Sequence, residues 1–149
     1  MSSAKNHHQE NHRQDHHGAE QVRAFLCAME ARDLATAERY LAANVVMQFP
    51  GAPPMLRLSE VVEWARTRYR SVSKTIYALD SYTSQPHAVV TCHGELKVEW
   101  LDGTTSTGVR FIDRFELTDG LITRQDVWND LALAQIAAAN AYPTMTRSL

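Results

Sequence analysis

The second half of the chain carries the feature that most limits its fold, a run of apolar and polar residues that alternate one by one. Between residues 88 and 101 the apolar set is Val90, Cys92, Leu96, Val98 and Trp100. The polar set that alternates with it is His93, Glu95, Lys97 and Glu99. This period of two is typical of a strand with one buried face, and the Asp-Gly pairs at 102–103 and 119–120 are typical of hairpin turns. We therefore predict an antiparallel meander of four strands, of which the first covers 75–83.

The first half of the chain has the longer spacing of amphipathic helices. Apolar residues recur at intervals of three and four over 19–29, and Asp33 is suited to cap a second, short helix. A third helix is predicted over 59–70, after a short strand at 45–49, and an Ala-rich helix is predicted over 131–141. Helices packed on one face of an antiparallel sheet make an α+β fold, which is the class we expect.

The ends of the chain differ in composition from the rest. The first 17 residues contain no aliphatic or aromatic residue larger than alanine and methionine. Such a segment cannot bury enough apolar surface to offset the entropy lost on ordering, so we expect a disordered, His-rich tail over 1–17. We expect the folded domain over 18–142 and a C-terminal tail over 143–149.

Three histidines of this tail, His8, His12 and His16, are four residues apart and would share one face of a helix. Such a row can bind a transition metal. No closed set of ligands accompanies it, so we favour a solvated tail, and whether it binds metal stays open.

Charge and composition argue against several classes of function. The formal net charge is -2, which gives no broad field to attract nucleic acid or an acidic membrane. The sequence has neither a membrane-length apolar run nor a basic-then-apolar start like a secretory signal. Cys27 and Cys92 lie in apolar stretches, which favours buried free thiols in the reducing cytoplasm. Because there is no phosphate loop, zinc-type spacing or nucleophile elbow, we expect no cofactor, no metal, and no nucleic-acid or membrane partner.

Asp113 does not fit its surroundings. Its register neighbours on the apolar face of the strand are Val109, Phe111, Phe115 and Leu117. An ionised carboxylate there costs several kcal/mol unless it is paired, hydrogen-bonded or neutralised. Burial would raise its pKa and suit it to act as a general acid or as a donor to a ligand oxyanion. The alternative is a structural carboxylate, anchored by Arg110, Arg124 or a backbone amide.

The stretch FIDRFELTDGLITRQDVWND, residues 111–130, resembles the last two strands of SnoaL-like proteins, in the nuclear-transport-factor-2-like, ketosteroid-isomerase-like superfamily. The front half agrees, with an amphipathic helix, an Arg-Asp-Leu break and the strand NVVMQFPGAPP. The order and spacing of these loose motifs, over roughly residues 19–140, give the likeness its strength. It implies a cone-shaped roll of a strongly bent, mostly antiparallel sheet, with three N-terminal helices and a C-terminal helix. It also implies a small-molecule pocket and a homodimer through the outer sheet face.

The ketosteroid isomerases of this superfamily use an Asp base, together with a Tyr and a protonated Asp that donate to the oxyanion. By the motif match, Asp113 takes the place of the oxyanion-binding Asp. Phe49 stands where the base would be, and Phe25 stands where the Tyr would be. A phenyl ring can neither accept nor donate a proton, so that reaction is not expected in its usual form.

Limonene-epoxide-hydrolase-like members use an Asp-Arg-Asp set, with a Tyr and an Asn that hold the water. The matching positions of the Tyr and Asn are Met47 and Phe49, and the strand for the Arg and one Asp reads 93-HGE-95. The last Asp falls on Val127, or on Asp126 if the register slips by one. This site is therefore not expected in its usual form either.

SnoaL-like polyketide cyclases require less, namely an acid/base carboxylate in a largely apolar cavity. We name Asp113, Asp126 and His93 as candidate catalytic residues, although His93 alternates with outward-facing residues and Asp126 alternates with Arg124, its possible ion-pair partner. The candidate ligand-binding residues are Phe25, Met29, Met47, Phe49, Trp64, Val98, Trp100, Phe111, Phe115, Gln125, Val127 and Asn129. For the aromatic ones, core packing is the alternative role.

Two functions stay open at this point. The first is a cofactor-independent isomerase, cyclase or hydrolase-type enzyme on an apolar oxygenated compound, with Asp113 as acid/base or oxyanion donor. The second is a non-catalytic ligand-binding or dimerisation module in which Asp113 is structural. The missing isomerase groups favour the non-catalytic module, whereas the carboxylate on an apolar strand favours the enzyme. The fold by itself does not decide between them.

Overall fold

The computed structural model describes the backbone of residues 3–141 and the side chains of residues 9, 10, 13 and 16–141. Its helices are α1 (Ser3–Glu30), α2 (Leu34–Glu38), α3 (Leu58–Arg66) and α4 (Leu131–Ala141). Its strands are β1 (Leu41–Gln48), β2 (Tyr69–Ser84), β3 (His87–Trp100), β4 (Thr105–Thr118) and β5 (Leu121–Asn129).

The five strands form one sheet in the order β1-β5-β4-β3-β2. Strands β2 to β5 make an antiparallel meander, and β1 joins its edge in parallel with β5. Register shifts occur in every strand pair, and such bulges bend and twist a sheet. The predicted α+β class, with a bent and mostly antiparallel sheet, is confirmed.

The inner face of the sheet forms the core, because the alternating residues of β3 and β4 point to it. All five residues named for each strand are buried, including Asp113 with 0% exposure. Helix α1 packs on β2 and β3, and its Phe25 meets Phe115 of β4 edge to face with ring centroids 6.1 Å apart. This contact closes one side of the fold over the sheet.

The end of α1 has the hydrogen bonds of a Schellman motif. The amide of Asp33 donates to the carbonyl of Ala28 at 2.9 Å, and the amide of Arg32 donates to that of Met29 at 3.1 Å. Arg32 therefore occupies the left-handed position of the motif, with φ 58°, where glycine is usual. The chain then enters α2, whose N-cap is Asp33, as the sequence predicts, with its side chain accepting from the amide of Thr36.

Two helix boundaries differ from the sequence prediction. Helix α1 begins at Ser3 rather than near residue 19, because helical backbone needs only local hydrogen bonds, whereas the apolar pattern reports packing. All side chains described between residues 9 and 17 are exposed, and the start of the folded domain at residue 18 stays a prediction. Helix α3 ends at Arg66, four residues early, since strand β2 begins at Tyr69.

Among the described residues, no helix combines the length and apolar character that a membrane crossing requires.

Gly94 and Gly18 give a matched test of this packing. A Cβ at Gly94 would collide with the backbone carbonyl of Thr75 at a β2–β3 bulge, so Gly94→Ala should lower the free energy of unfolding by about 1–3 kcal/mol or more. A Cβ at Gly18 in α1 meets only ordinary contacts, so Gly18→Ala should raise it by about 0.5–1 kcal/mol. Urea unfolding of both variants measures the contrast, and equal effects would contradict the packing.

Candidate functional site

A cavity of about 300 Å³ lies between the helices and the inner face of the sheet. Its apolar wall consists of Phe25, Leu26, Met29, Met47, Phe49, Leu58, Val61, Ala65 and Val72. Its polar lining consists of Glu30, Arg32, Tyr69, Arg70, Ser71, Lys74 and Gln125. A mostly apolar cavity with a few convergent polar groups is the usual form of a small-molecule site.

The polar groups divide into two sets by exposure. Lys74 and Gln125, which we call the cavity base, lie at the buried end; Gln125 is 5% exposed and the Lys74 side chain 23% exposed. Glu30, Arg32, Tyr69 and Arg70, which we call the cavity mouth, lie at the other end, where all but the half-buried Tyr69 are exposed. A bound molecule would therefore meet polar groups at both ends and apolar groups between them.

Lys74 links the cavity base to Asp113. Its Nζ atom donates to Oδ2 of Asp113 at 3.2 Å, and the same ammonium group lies 4.4 Å from the ring centroid of Phe111. Asp113 itself does not line the cavity, because Lys74 and Gln125 lie in front of it. What the cavity presents to a ligand is thus an ammonium group supported from behind by a carboxyl group.

The pKa of Asp113 is raised from its ordinary value because burial penalises the charged form. The charge of Lys74 and polar contacts from Lys74 and Gln125 oppose this shift without cancelling it. Gln125 does not complete a hydrogen bond of acceptable geometry, so Oδ1 of Asp113 has no hydrogen-bond partner among the described residues. A buried carboxyl with one free oxygen and a raised pKa is suited to hold a proton.

Cys92 lies directly opposite Asp113 in the β3–β4 pair. Burial, together with the nearby Asp113 charge, raises the pKa of its thiol to about 12. Cys92 is therefore an inert, buried thiol rather than a nucleophile. Cys27 is a free thiol as well, but it is exposed, which corrects the prediction that both cysteines are buried.

Tyr69 lines the cavity mouth, where the charges of two arginines act on it. Burial raises the pKa of Tyr69, and the positive charges of Arg32 and Arg68 act in the opposite direction. Arg68 is held over the ring of Trp64 at 4.6 Å, and Trp64 packs on Phe49 with centroids 5.3 Å apart. This stack supports the mouth from outside the cavity.

Five of the twelve predicted ligand-binding residues line the cavity: Phe25, Met29, Met47, Phe49 and Gln125. The others lie elsewhere. Trp64 packs behind Phe49, Phe111 lies under Lys74, and Val98, Trp100, Phe115 and Val127 are buried away from the lining. Asn129 ends β5, where its side-chain oxygen accepts from the amide of Leu131 at 3.2 Å.

Two of the three predicted catalytic residues do not accompany Asp113. His93 is exposed on the outer face of the sheet, edge to face with Tyr77 at 6.5 Å. Asp126 is bound by Arg124 Nε at 2.8 Å and also lies outside the cavity. The physical reason is the period of two: both residues stand one position away from the inward-facing set of their strands.

The sequence prediction missed Lys74 and the charged residues of the mouth. A signal for Lys74 was present, since it alternates in register with Val72 and Ile76, whose side chains are half-buried on the inner side of β2. A lysine that shares a strand face with apolar residues indicates a buried cation, just as Asp113 on its apolar face indicates a buried carboxyl group. No comparable pattern marks Arg32, which reaches the cavity from a turn.

Metal binding finds no support in the described part of the chain, where no group of three His, Cys, Asp or Glu side chains converges. The side chains of His8 and His12 lie outside the described residues. The open question about metal binding by that row is unchanged.

The family model of the SnoaL-like domain matches residues 22–125, well over half of the chain. The chain therefore belongs to the SnoaL-like domain family, within the superfamily that the resemblance of its last strands indicates. No curated protein matches the sequence significantly.

Solved structures share the fold at low sequence identity. TerC, co-crystallised with polyporic acid, has a TM-score of 0.69 at 18% identity, over 80% of this chain and 96% of TerC. An LEH-like epoxide hydrolase from M. tuberculosis has a TM-score of 0.66 at 17% identity, over 91% of this chain and 98% of that one. A proposed polyketide cyclase from Xanthomonas campestris has a TM-score of 0.66 at 15% identity, over 81% and 96%. At these identities the likeness establishes the fold alone.

The raised pKa of Asp113 predicts a pH-dependent stability. A carboxyl whose pKa is higher in the folded than in the unfolded protein stabilises the fold below its ordinary pKa, near 3.8, and that contribution is lost as pH rises through the folded value. Asp113→Asn cannot ionise, so its free energy of unfolding relative to wild type should improve with rising pH, by about 1.4 kcal/mol per unit of pKa shift.

Urea unfolding between pH 4 and pH 8 measures this difference. Asp80→Asn, at an exposed position of β2, is the matched control for removing one carboxylate without burial. A difference between Asp113→Asn and wild type that stays constant or falls with pH would contradict the burial argument.

Proposed function

We propose that this protein is a cofactor-independent enzyme that catalyses proton transfer on a small apolar, oxygenated compound. The observation that carries the proposal is the ammonium group of Lys74 at the base of an apolar cavity, backed at 3.2 Å by a carboxyl that is 0% exposed. Isomerisation, cyclisation and hydration next to a carbonyl all place negative charge on the carbonyl oxygen in the transition state. A preorganised donor at that oxygen lowers the barrier.

The proposal assigns different roles to the two residues. Lys74 would donate a hydrogen bond, or its proton, to the ligand oxygen, which makes it the candidate catalytic residue. Asp113 would act through Lys74 as a positioning residue, because its carboxylate holds the ammonium group at the cavity base. A proton that Lys74 gives to the ligand oxygen returns to the amine from the ligand hydroxyl when the carbonyl re-forms. This modifies the expectation that Asp113 itself meets the ligand.

Structural neighbours support the class of ligand. TerC was crystallised with polyporic acid, and another neighbour is described as a proposed polyketide cyclase. A flat, oxygenated molecule suits a wall that contains Phe25 and Phe49 and a base that contains Lys74 and Gln125.

A non-catalytic binding module is the second candidate, and one observation favours it. Lys74 has its charge balanced by Asp113 and its ammonium group over Phe111, so this pair also satisfies the requirements of a purely structural ion pair. In that case the cavity binds a ligand and leaves it unchanged.

Deuterium uptake by 2-tetralone distinguishes the two candidates without knowledge of the natural substrate. This flat ketone exchanges its α-protons through an enolate, so an oxyanion donor should accelerate exchange in D₂O above the buffer rate. Lys74→Met should lower the protein-catalysed rate about 10²–10³-fold, as for loss of an oxyanion donor. Asp113→Asn should lower the rate and displace its pH profile, which a structural role would not do.

Mass spectrometry of the recovered ketone measures the uptake, and Asp80→Asn is the control variant. If wild type and Lys74→Met exchange at the same rate while both bind 2-tetralone, the enzyme proposal fails and the binding module stands.

We also propose that the protein forms a homodimer through the outer face of the sheet. Tyr77, His93, Ile112 and Trp128 make an exposed row across β2 to β5, in which His93 pairs with Ile112 and Ile112 pairs with Trp128. Tyr77 is 60% exposed and Trp128 is 54% exposed. Contiguous apolar exposure of this kind is typical of an interaction surface.

A charge in this row should separate the subunits. Trp128→Glu is expected to shift sedimentation from dimer to monomer, because an unpaired carboxylate would be buried in the interface. Leu133→Glu, at an exposed position of α4, is the control for a new surface charge. A wild-type monomer, or a dimer that Trp128→Glu leaves intact, contradicts this proposal.

Localisation in the cytoplasm remains part of the proposal. It is supported by two free thiols, of which Cys92 is buried, and it carries no part of the argument for the chemistry.

A further inference from the structure

The two ends of the cavity differ in how their positive charges are balanced. At the base, Lys74 is paired with Asp113 at 3.2 Å. At the mouth, Arg70 is paired with Glu99 at 3.4 Å, whereas Arg32 has no ion pair within the described part of the chain. Arg32 therefore gives the cavity lining a positive charge that no acidic side chain of the described residues balances.

The surroundings of Tyr69 show which sign of charge the mouth favours. Burial raises the pKa of its hydroxyl, and the two charges that oppose this rise, those of Arg32 and Arg68, are both positive. Glu30 is the single acidic residue of the cavity lining, and it makes no ion pair with Arg32 in the described structure. A hydroxyl donor next to an unpaired guanidinium is a suitable partner for an anion.

The backbone at Arg32 gives an independent observation. Its φ of 58° belongs to the left-handed position of the Schellman motif that ends α1, a position that glycine adopts without strain. Arginine is disfavoured there, and strain of this kind is found at sites of function. Because the residue in this strained conformation is an arginine, a guanidinium lines the cavity. A glycine at this position would relieve the strain but would supply no charged group.

We propose that Arg32 and Tyr69 form an anion subsite at the cavity mouth, and that the ligand is a flat organic acid. Its carboxylate binds Arg32 and Tyr69, while a neutral oxygen at its other end meets Lys74, whose charge Asp113 already balances. The ligand is thereby oriented, with its reacting oxygen at the base. This inference rests on the proposed function only in requiring that the cavity admit a small molecule.

A matched pair of competitors tests the subsite. 2-Naphthoate and 2-naphthamide have the same shape but differ in charge, and each can displace N-phenyl-1-naphthylamine, a neutral dye whose fluorescence rises in apolar cavities. Wild type should bind the naphthoate about tenfold or more tightly than the naphthamide, as expected for a charge-assisted hydrogen bond.

Arg32→Gly should abolish this preference, while the neutral dye, which carries no charge for Arg32 to meet, should still bind. Its Tm should be equal to or higher than that of wild type, because glycine relieves the strain at this φ. Arg39→Gly removes the same charge from an exposed arginine outside the cavity lining, so it should keep the preference. Tyr69→Phe should weaken the preference in part.

The outcomes separate the two proposals. If the dye does not bind wild type, the small-molecule cavity of the proposed function fails. If the dye binds but the naphthoate is not preferred, the anion subsite alone is overturned. A preference that survives Arg32→Gly and disappears in Lys74→Met also overturns it, since the anion then binds at the base.

Discussion

The ion pair between Lys74 and Asp113 is the interaction on which the arrangement of the site depends. A carboxylate with no exposed surface requires a partner, and the partner comes from a strand 39 residues earlier in the chain. Because side chains alternate along a strand, a slip of one residue in the β2–β3 pairing would turn Lys74 outward. The pair therefore links the register of the sheet to the chemistry of the cavity.

The cavity combines an apolar wall with polar groups at its two ends. At the base, burial raises the pKa of Asp113, and the charge of Lys74 opposes that shift. At the mouth, exposed arginines lie beside Tyr69 and water screens them more strongly. The proposed chemistry therefore lies at the buried end of the cavity, and the proposed recognition of the ligand's charge lies at the open end.

The inward position of Asp113 could be predicted from the sequence, because every second residue of β4 from Val109 to Leu117 is apolar except Asp113, and these alternate residues are all buried. The same rule predicted that His93 points outward, and the structure places its side chain exposed on the outer face of the sheet. Lys74 was missed because the predicted strand began at residue 75, directly after it, whereas β2 begins at Tyr69. The wall residues Leu58, Val61 and Ala65 were missed because a helix pattern shows which side is buried but not what it faces.

By itself the sequence determined the α+β class, the meander with its two Asp-Gly turns, the SnoaL-like resemblance and the presence of a carboxylate among apolar residues. These are properties of local spacing, which repeats every two residues in a strand and every three or four in a helix. Only the tertiary structure decided that Lys74 pairs with Asp113 and that Arg32 reaches the cavity from a strained turn. It also decided that a cavity of about 300 Å³ lies between Lys74 and Arg32. Those facts depend on contacts between elements far apart in the chain, and no local period encodes which side chains meet across a core.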